Sequence, residues 1–298
     1  MRAMPAVPEP AVPDGPSGLA YGCLTHVEAA VDYPAFVESV LLGAAQVESG
    51  LNLCDLAPEW EPHHPLLGGL AGTFAWKNHV VARHPEATHI GLCQYRKFVS
   101  HRRLSRRVAK SYSSMDLVSP RELTRLRLDE AMRPPSDWLL APPFHFSRLR
   151  KAGSYLAQYG RAHQVEDLLR FTAEAVEQQV LDRAEAVAFL AEDTLLPGGI
   201  ELGVFPAAFW IENVTAIENV VRVCVRRFPI AHRGYDARAW AFCVERLGSY
   251  LVLRHLRRLP GFEARLLGAR LASPAHWSRR FVGHLNLVTD ADDYVISA

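Results

Sequence analysis

Apolar positions along this chain fall into short unbroken runs, separated by longer stretches with a helical period. Residues 19–24 (LAYGCL) form one such run, ending at Thr25 and His26, and residues 88–93 (THIGLC) form another. Runs that are apolar at every position suit strands covered on both faces of a sheet. Residues 137–141 (DWLLA), bounded by prolines, read as a further short strand, and so do residues 204–211 (VFPAAFWI), where Pro206 suits an edge or a bulge. Between these runs the period lengthens. Asp32 reads as a helix N-cap, with Pro34 in the first turn and Phe36, Val40 and Leu41 on one face. A loop is expected over 58–72, rich in proline and glycine, followed by a helix over 74–83 that Pro85 stops. Helical periodicity runs through 154–191 and breaks at Pro197-Gly198-Gly199, and two more helices are expected over 214–227 and 238–256. Strands alternating with helices predict a mixed or parallel α/β sheet.

Composition narrows the classes. Of 298 residues, 49% are hydrophobic and 22% charged, enough to bury a core. Thirty-three basic against 32 acidic residues leave a formal charge of +1, which argues against a nucleic-acid partner needing many phosphate contacts. Five scattered cysteines, an odd number without CxxC spacing, fit neither a zinc cluster nor a disulfide framework, and so fit a reducing cytoplasm. Residues 1–18, rich in proline, lack the apolar core of a signal peptide and read as a flexible leader. No run approaches the roughly 20 apolar residues of a membrane span. No G-x-G-x-x-G or P-loop pattern is present, which disfavours an ordinary dinucleotide dehydrogenase or P-loop kinase.

The chemistry concentrates around Trp76-Lys77-Asn78 and Gln94-Tyr95-Arg96-Lys97. A buried strand ending in Tyr-Arg-Lys delivers an aromatic and two cations to the carboxyl edge of a sheet, where ligands of open α/β folds bind. Arginine offers a planar fork to phosphate oxygens and lysine a point charge. An ordinary solvated basic loop is the alternative. Between Ala87 and Met115 there are seven basic residues and no acidic one, which reads as a solvated face, a lid or a surface for anionic membrane.

These segments resemble the glycosyltransferase-like domains encoded among bacterial capsule and exopolysaccharide genes, whose hallmark is a W-K-N helix followed by I-G-L-x-H-Y-R-R-[YF]. Trp76, Lys77, Asn78, Ile90, Gly91, Leu92, Tyr95 and Arg96 match; Gln94 stands where the family has His, Lys97 replaces the second Arg, and Phe98 takes the aromatic place. Tyr155-x-x-Gln158-Tyr159-x-x-x-His163-x-x-x-Asp167-Leu168 matches a second family pattern, and Glu245-Arg246-Leu247 a third. An Asn common in the family near Gly203 is missing.

The resemblance implies a GT-A-like nucleotide-diphospho-sugar transferase fold: a mixed sheet flanked by helices over 19–256, with 257–298 a helical extension packed on it. It implies a glycosyltransferase, hexosyltransferase-like, moving sugar from a nucleotide-diphosphate donor to a glycan or lipid-linked acceptor in bacterial surface-polysaccharide biosynthesis. Such an enzyme would work in the cytoplasm, with peripheral contact at the inner membrane face as a further expectation. Thr25, His26, Lys77, Asn78, Gln94, Tyr95, Arg96 and Lys97 are the expected donor-binding residues; Gln158, Tyr159 and His163 the expected acceptor or pocket residues. Asp236, Glu245 and Glu201 are candidates for a catalytic base, with helix capping for Asp236 and an ion pair between Glu245 and Arg246 as structural alternatives. Many GT-A enzymes hold a metal on an Asp-x-Asp at a mid-sheet strand end; the comparable end here has no carboxylate, so side-chain cations are favoured, a divalent metal stays open as the alternative, and the nucleotide-diphosphate sugar is the donor expected. Asp290-Ala291-Asp292 spells the motif near the C-terminus, where an acidic tail is the plainer reading. A catalytically idle nucleotide-sugar-binding or interaction module of the same fold is the alternative function.

Overall fold

A computed structural model describes residues 18–109, 115–134, 136–146, 153–259 and 282–289. The chain runs through β1 (Leu19–Thr25), β2 (Val37–Leu41), β3 (Leu51–Asn52), α1 (Leu53–Leu56), α2 (His64–Leu67), α3 (Gly69–Arg83), β4 (His89–Gln94) and β5 (Lys97–Ser100). It continues through β6 (Met115–Val118), α4 (Pro120–Leu123), α5 (Leu128–Ala131), β7 (Leu139–Leu140), β8 (Phe144–His145), α6 (Tyr155–Ala162), α7 (Val165–Glu177) and α8 (Arg183–Ala191). Last come β9 (Thr194–Leu195), β10 (Gly203–Pro206), α9 (Ala207–Arg227), α10 (Ala239–Arg258) and β11 (His284–Val288).

The fully apolar runs become the middle of the sheet. β3, β2, β1 and β4 lie side by side and parallel. β10 pairs antiparallel with the other edge of β4, and β7 with β10. Past β4 the chain turns back, Gln94 pairing with Lys97, into β5; β11 then joins β5 antiparallel and β6 parallel. Strand side chains alternate between the faces. Ala20, Leu24, Val40 and Leu92 pack with α3, α9 and α10 on one side, while Tyr21, Cys23, Cys93 and Val204 belong to a second buried cluster. That two-sided burial is why the interiors of β1 and β4, residues 20–24 and 90–93, carry no charged side chain. The result is a mixed α/β fold, a largely parallel sheet flanked by helices. Among the described residues no helix is long and apolar enough to cross a membrane.

Several local expectations meet a different structure. The segment after Asp32 forms β2, not a helix: five backbone pairs with β1 outweigh the capping signal of Asp32 and Pro34. The strand expected over 204–211 ends at Pro206, whose φ of −56° and missing N–H open α9 instead. Helix already begins inside the stretch expected as a loop, in α2 and the first turn of α3. The long period over 154–191 is three helices. Of 257–298, expected as a helical extension, the described residues give the end of α10 and a sheet strand, β11.

Candidate functional site

The carboxyl ends of β1 and β4 open onto two adjoining cavities of about 380 and 440 Å³. Gly68, Gly69, Gln94, Lys97, Tyr235 and Arg238 line both. Two backbone features build the shared wall. Gly68 has φ 56° and ψ −130°, a conformation a side chain would strain, and it turns the chain so that α3 starts at the cavity without a side-chain cap. The first turn of this fifteen-residue helix, without a side-chain cap, brings the positive end of its dipole to the cavity. Opposite it, a single turn of 3-10 helix at Gly234–Arg238 brings in Tyr235 and Arg238.

The smaller cavity is cationic. His26, His64, Arg96, Lys97 and Arg238 line it with Tyr95, and among the described residues no carboxylate does. The His26 ring meets Tyr95 edge-on, centroids 4.9 Å apart, and the Arg96 guanidinium lies 5.1 Å from the same ring. Among the described residues no carboxylate pairs with Lys97. Burial, aided by Arg96 and opposed by Glu245, holds the Lys97 ammonium below the ordinary lysine range. Burial and the charges of Arg238 and Arg96 likewise lower His26. Lys97, Arg96 and Arg238 thus gather positive charge beside a helix N-terminus, an arrangement chemically suited to an anion.

The larger cavity carries the carboxylates. Glu245 accepts a hydrogen bond from the Gly198 N–H at 2.9 Å. Glu201 receives the Thr73 hydroxyl at 3.2 Å, and burial together with the Glu245 charge pushes its carboxyl up to about 8. The Glu201 carboxyl therefore keeps a proton at neutral pH. His163 lies flat on Phe242, centroids 4.3 Å apart, with Nδ1 3.2 Å from Asp236. Burial first, and Arg246 after it, lower His163, against the opposing pull of Asp236. Arg246, 4% exposed, donates to the Phe242 carbonyl and to Gln158 and lies 4.8 Å over Tyr159. No carboxylate pairs with it among the described residues, and its Nε has no partner.

No family model matches the sequence, and no curated protein does. A solved structure does: the apo structure of the WbbM bifunctional glycosyltransferase. The two share the fold. The match has a TM-score of 0.65 at 10% sequence identity and covers 91% of this chain. It covers 45% of that chain, so this protein spans less than half the length of the one it matches.

The expected site residues divide into those the fold assembles and those it sends elsewhere. Gln94, Tyr95, Arg96, Lys97 and His26 line the cationic cavity, and Gln158, His163, Glu201 and Glu245 the other. Thr25 is buried beneath them, its hydroxyl bonded to the Val27 carbonyl. Tyr159 is buried too, supporting Arg246, and Asp236 reaches the cavity only through His163. Lys77 and Asn78 face away: Lys77 pairs with Glu218 on α9, and Asn78 donates to the Leu56 carbonyl. On a helix that starts at the cavity, they lie about 12 Å along the axis from it. Glu245 and Arg246 form no ion pair with each other. Much of the basic run is internally matched, Arg103 to Asp116 and Arg107 to Glu122 at 3.2 Å, Arg102 to Glu130 at 3.5 Å. Asp290 and Asp292 lie outside the described residues.

Sequence reasoning missed Arg238, His64 and the Gly68-Gly69 helix start. The Gly-Gly pair before a helical period was the available signal for the last; the other two carry none without the fold.

Proposed function

We propose that this chain is a glycosyltransferase that binds a nucleoside-diphosphate sugar across the two cavities. One observation carries the reading: a cavity lined by His26, His64, Arg96, Lys97 and Arg238, with no carboxylate among its described residues, adjoins one that holds Glu245 and a Glu201 whose carboxyl burial pushes up to about 8. The donor diphosphate sits on Arg96, Lys97, Arg238 and the N-terminus of α3, with Tyr95 and His26 against the nucleoside. The sugar then projects into the larger cavity, and the acceptor hydroxyl enters past Gln158 and His163. Glu245 takes the hydroxyl proton as the oxygen attacks the anomeric carbon, and the bond to the diphosphate oxygen breaks on the opposite side. Glu201, protonated, donates a hydrogen bond to a sugar oxygen and adds no repulsion. The leaving diphosphate needs neutralisation, which the cations supply in a site partly shielded from water. A glycan or lipid-linked acceptor, and a place in surface-polysaccharide synthesis, rest on the motif resemblance alone.

The test is a panel of nucleotide sugars scored by thermal shift and by release of nucleoside diphosphate. Bound donor raises Tm by mass action. At least one donor should do both, with Glu245→Gln keeping the shift and losing roughly 100-fold or more of turnover. Shift without turnover in the parent chain would leave a binding module; neither response would sink the reading.

A further inference from the structure

A second cluster lies on the same helix, away from the cavities. Glu38 of β2, His79 of α3 and His84 just past its end converge so that one ligand atom from each lies within 4.8 Å of the others. His79 is ten residues down α3 from Gly69, about 15 Å along the axis. Glu38 shares its sheet face with Val40, which packs in the core with α3.

We propose that Glu38, His79 and His84 bind a divalent transition-metal ion of the zinc class, at a site separate from the donor cavity. The spacing fits. Glu38 Oε2 lies 3.2 Å from His79 Nε2, and Oε1 lies 2.9 Å from His84 Nε2. Ligands about 2.0–2.1 Å from a tetrahedral zinc ion stand about 3.3 Å from one another. The donors are right: two imidazole nitrogens and a carboxylate suit zinc and its neighbours, with water completing the tetrahedron. His84 Nε2 is buried and, although Glu38 Oε1 is close, has no hydrogen-bond partner. An ion held between the three groups would satisfy it.

The surroundings hold the donors in place. The Trp76 ring stacks on His79, 5.3 Å between centroids and 24° between planes, and lies 6.2 Å from the His84 ring. Trp76 in turn lies flat on β1 at Gly22, where a Cβ would come within 2.7 Å of the indole. The Glu38 side chain is 27% exposed and that of His84 14%, which leaves a path from solvent. The alternative is a carboxylate shared by two imidazoles without an ion.

Chelator-treated full-length chain titrated with Zn²⁺ alone separates the two. One equivalent should bind and raise Tm; Glu38→Gln and His84→Gln should each weaken binding by roughly tenfold or more with unchanged circular dichroism. Co²⁺ in place of zinc should give the visible bands of a tetrahedral ion and quench tryptophan fluorescence, and Trp76→Phe should remove most of the quenching. X-ray absorption of the zinc-loaded parent chain, which needs no variant to fold, should show imidazole and oxygen ligands. No stoichiometric binding, sulfur ligation, or zinc affinity unchanged in the Glu38→Gln/His84→Gln double variant would each overturn the proposal.

Discussion

Lys77 and Lys97 both belong to the basic motifs of this chain, both are largely withdrawn from water, and they end in opposite electrostatic states. Around Lys77 the fold closes a circuit. Glu218 on α9 takes the Lys77 ammonium, the Trp60 indole N–H at 2.7 Å and Arg222 at 2.8 Å, and Arg222 lies over the Trp60 ring. Around Lys97 no such circuit exists among the described residues: it shares an open cavity with Arg96 and Arg238, and Glu245 acts on it only from a distance. The difference teaches where to look for binding in such a fold. A buried cation with a carboxylate folded onto it holds the protein together; one without spends folding free energy to stay available for an anion.

Breaking the closed circuit should give the largest effect. Losing one partner of a buried ion pair costs about 3–5 kcal/mol, and because Glu218 keeps Trp60 and Arg222, Lys77→Met should cost about 3 kcal/mol in denaturant unfolding. Diphosphate affinity of the folded fraction should not change. A variant of normal stability with weakened nucleotide binding would reverse the assignment of Lys77.

The open cation should behave the other way. Lys97→Met should leave stability unchanged or raise it, since a desolvated charge is removed, while nucleoside-diphosphate affinity falls about 10–100-fold, the worth of a charge-assisted hydrogen bond. Arg96→Ala should weaken the same ligand by one to two orders of magnitude, and Arg96→Lys by less, because the charge survives and only the fork is lost. Calorimetric titration with nucleoside diphosphate and with the free nucleoside checks both: the nucleoside should lose far less. Equal losses for the two ligands would move the diphosphate off these side chains.

How much of this contrast the sequence carried depends on range. The apolar runs gave β1 and β4 to within a residue or two, because strands buried on both faces leave an unambiguous local pattern. Their carboxyl ends, and so Gln94 to Lys97, followed directly. β2 was misread because its identity comes from pairing with β1, while Asp32 and Pro34 signal locally for a helix. The fate of Lys77 was illegible for the same reason: its carboxylate is supplied by α9, far along the chain. Arg238 and His64 reach the cavity only through tertiary packing, which no local spacing encodes.

The carboxylates repeat the contrast on a smaller scale, and Glu201 offers the finest test of it. Glu218 is surrounded by three donors, whereas Glu201 has the Thr73 hydroxyl and the unfavourable charge of Glu245. Burial first, and the Glu245 charge after it, push its carboxyl up to about 8, well above the 4.5 of an ordinary glutamate. Between those two values the folded chain keeps a proton that the unfolded chain has released, so rising pH favours unfolding across that window. Below it both states are protonated and the group contributes nothing; above it the full penalty is present and constant. Glu201→Gln keeps the shape and removes the titration. It should leave stability unchanged near pH 4 and raise it near pH 8.5 by about 1–3 kcal/mol, less than the full shift implies because water reaches the carboxyl through the cavity. Chemical denaturation at the two pH values measures this directly. An identical gain at both would mean that Glu201 is ionised in the fold at neutral pH, and the division of labour between the two glutamates would fail with it.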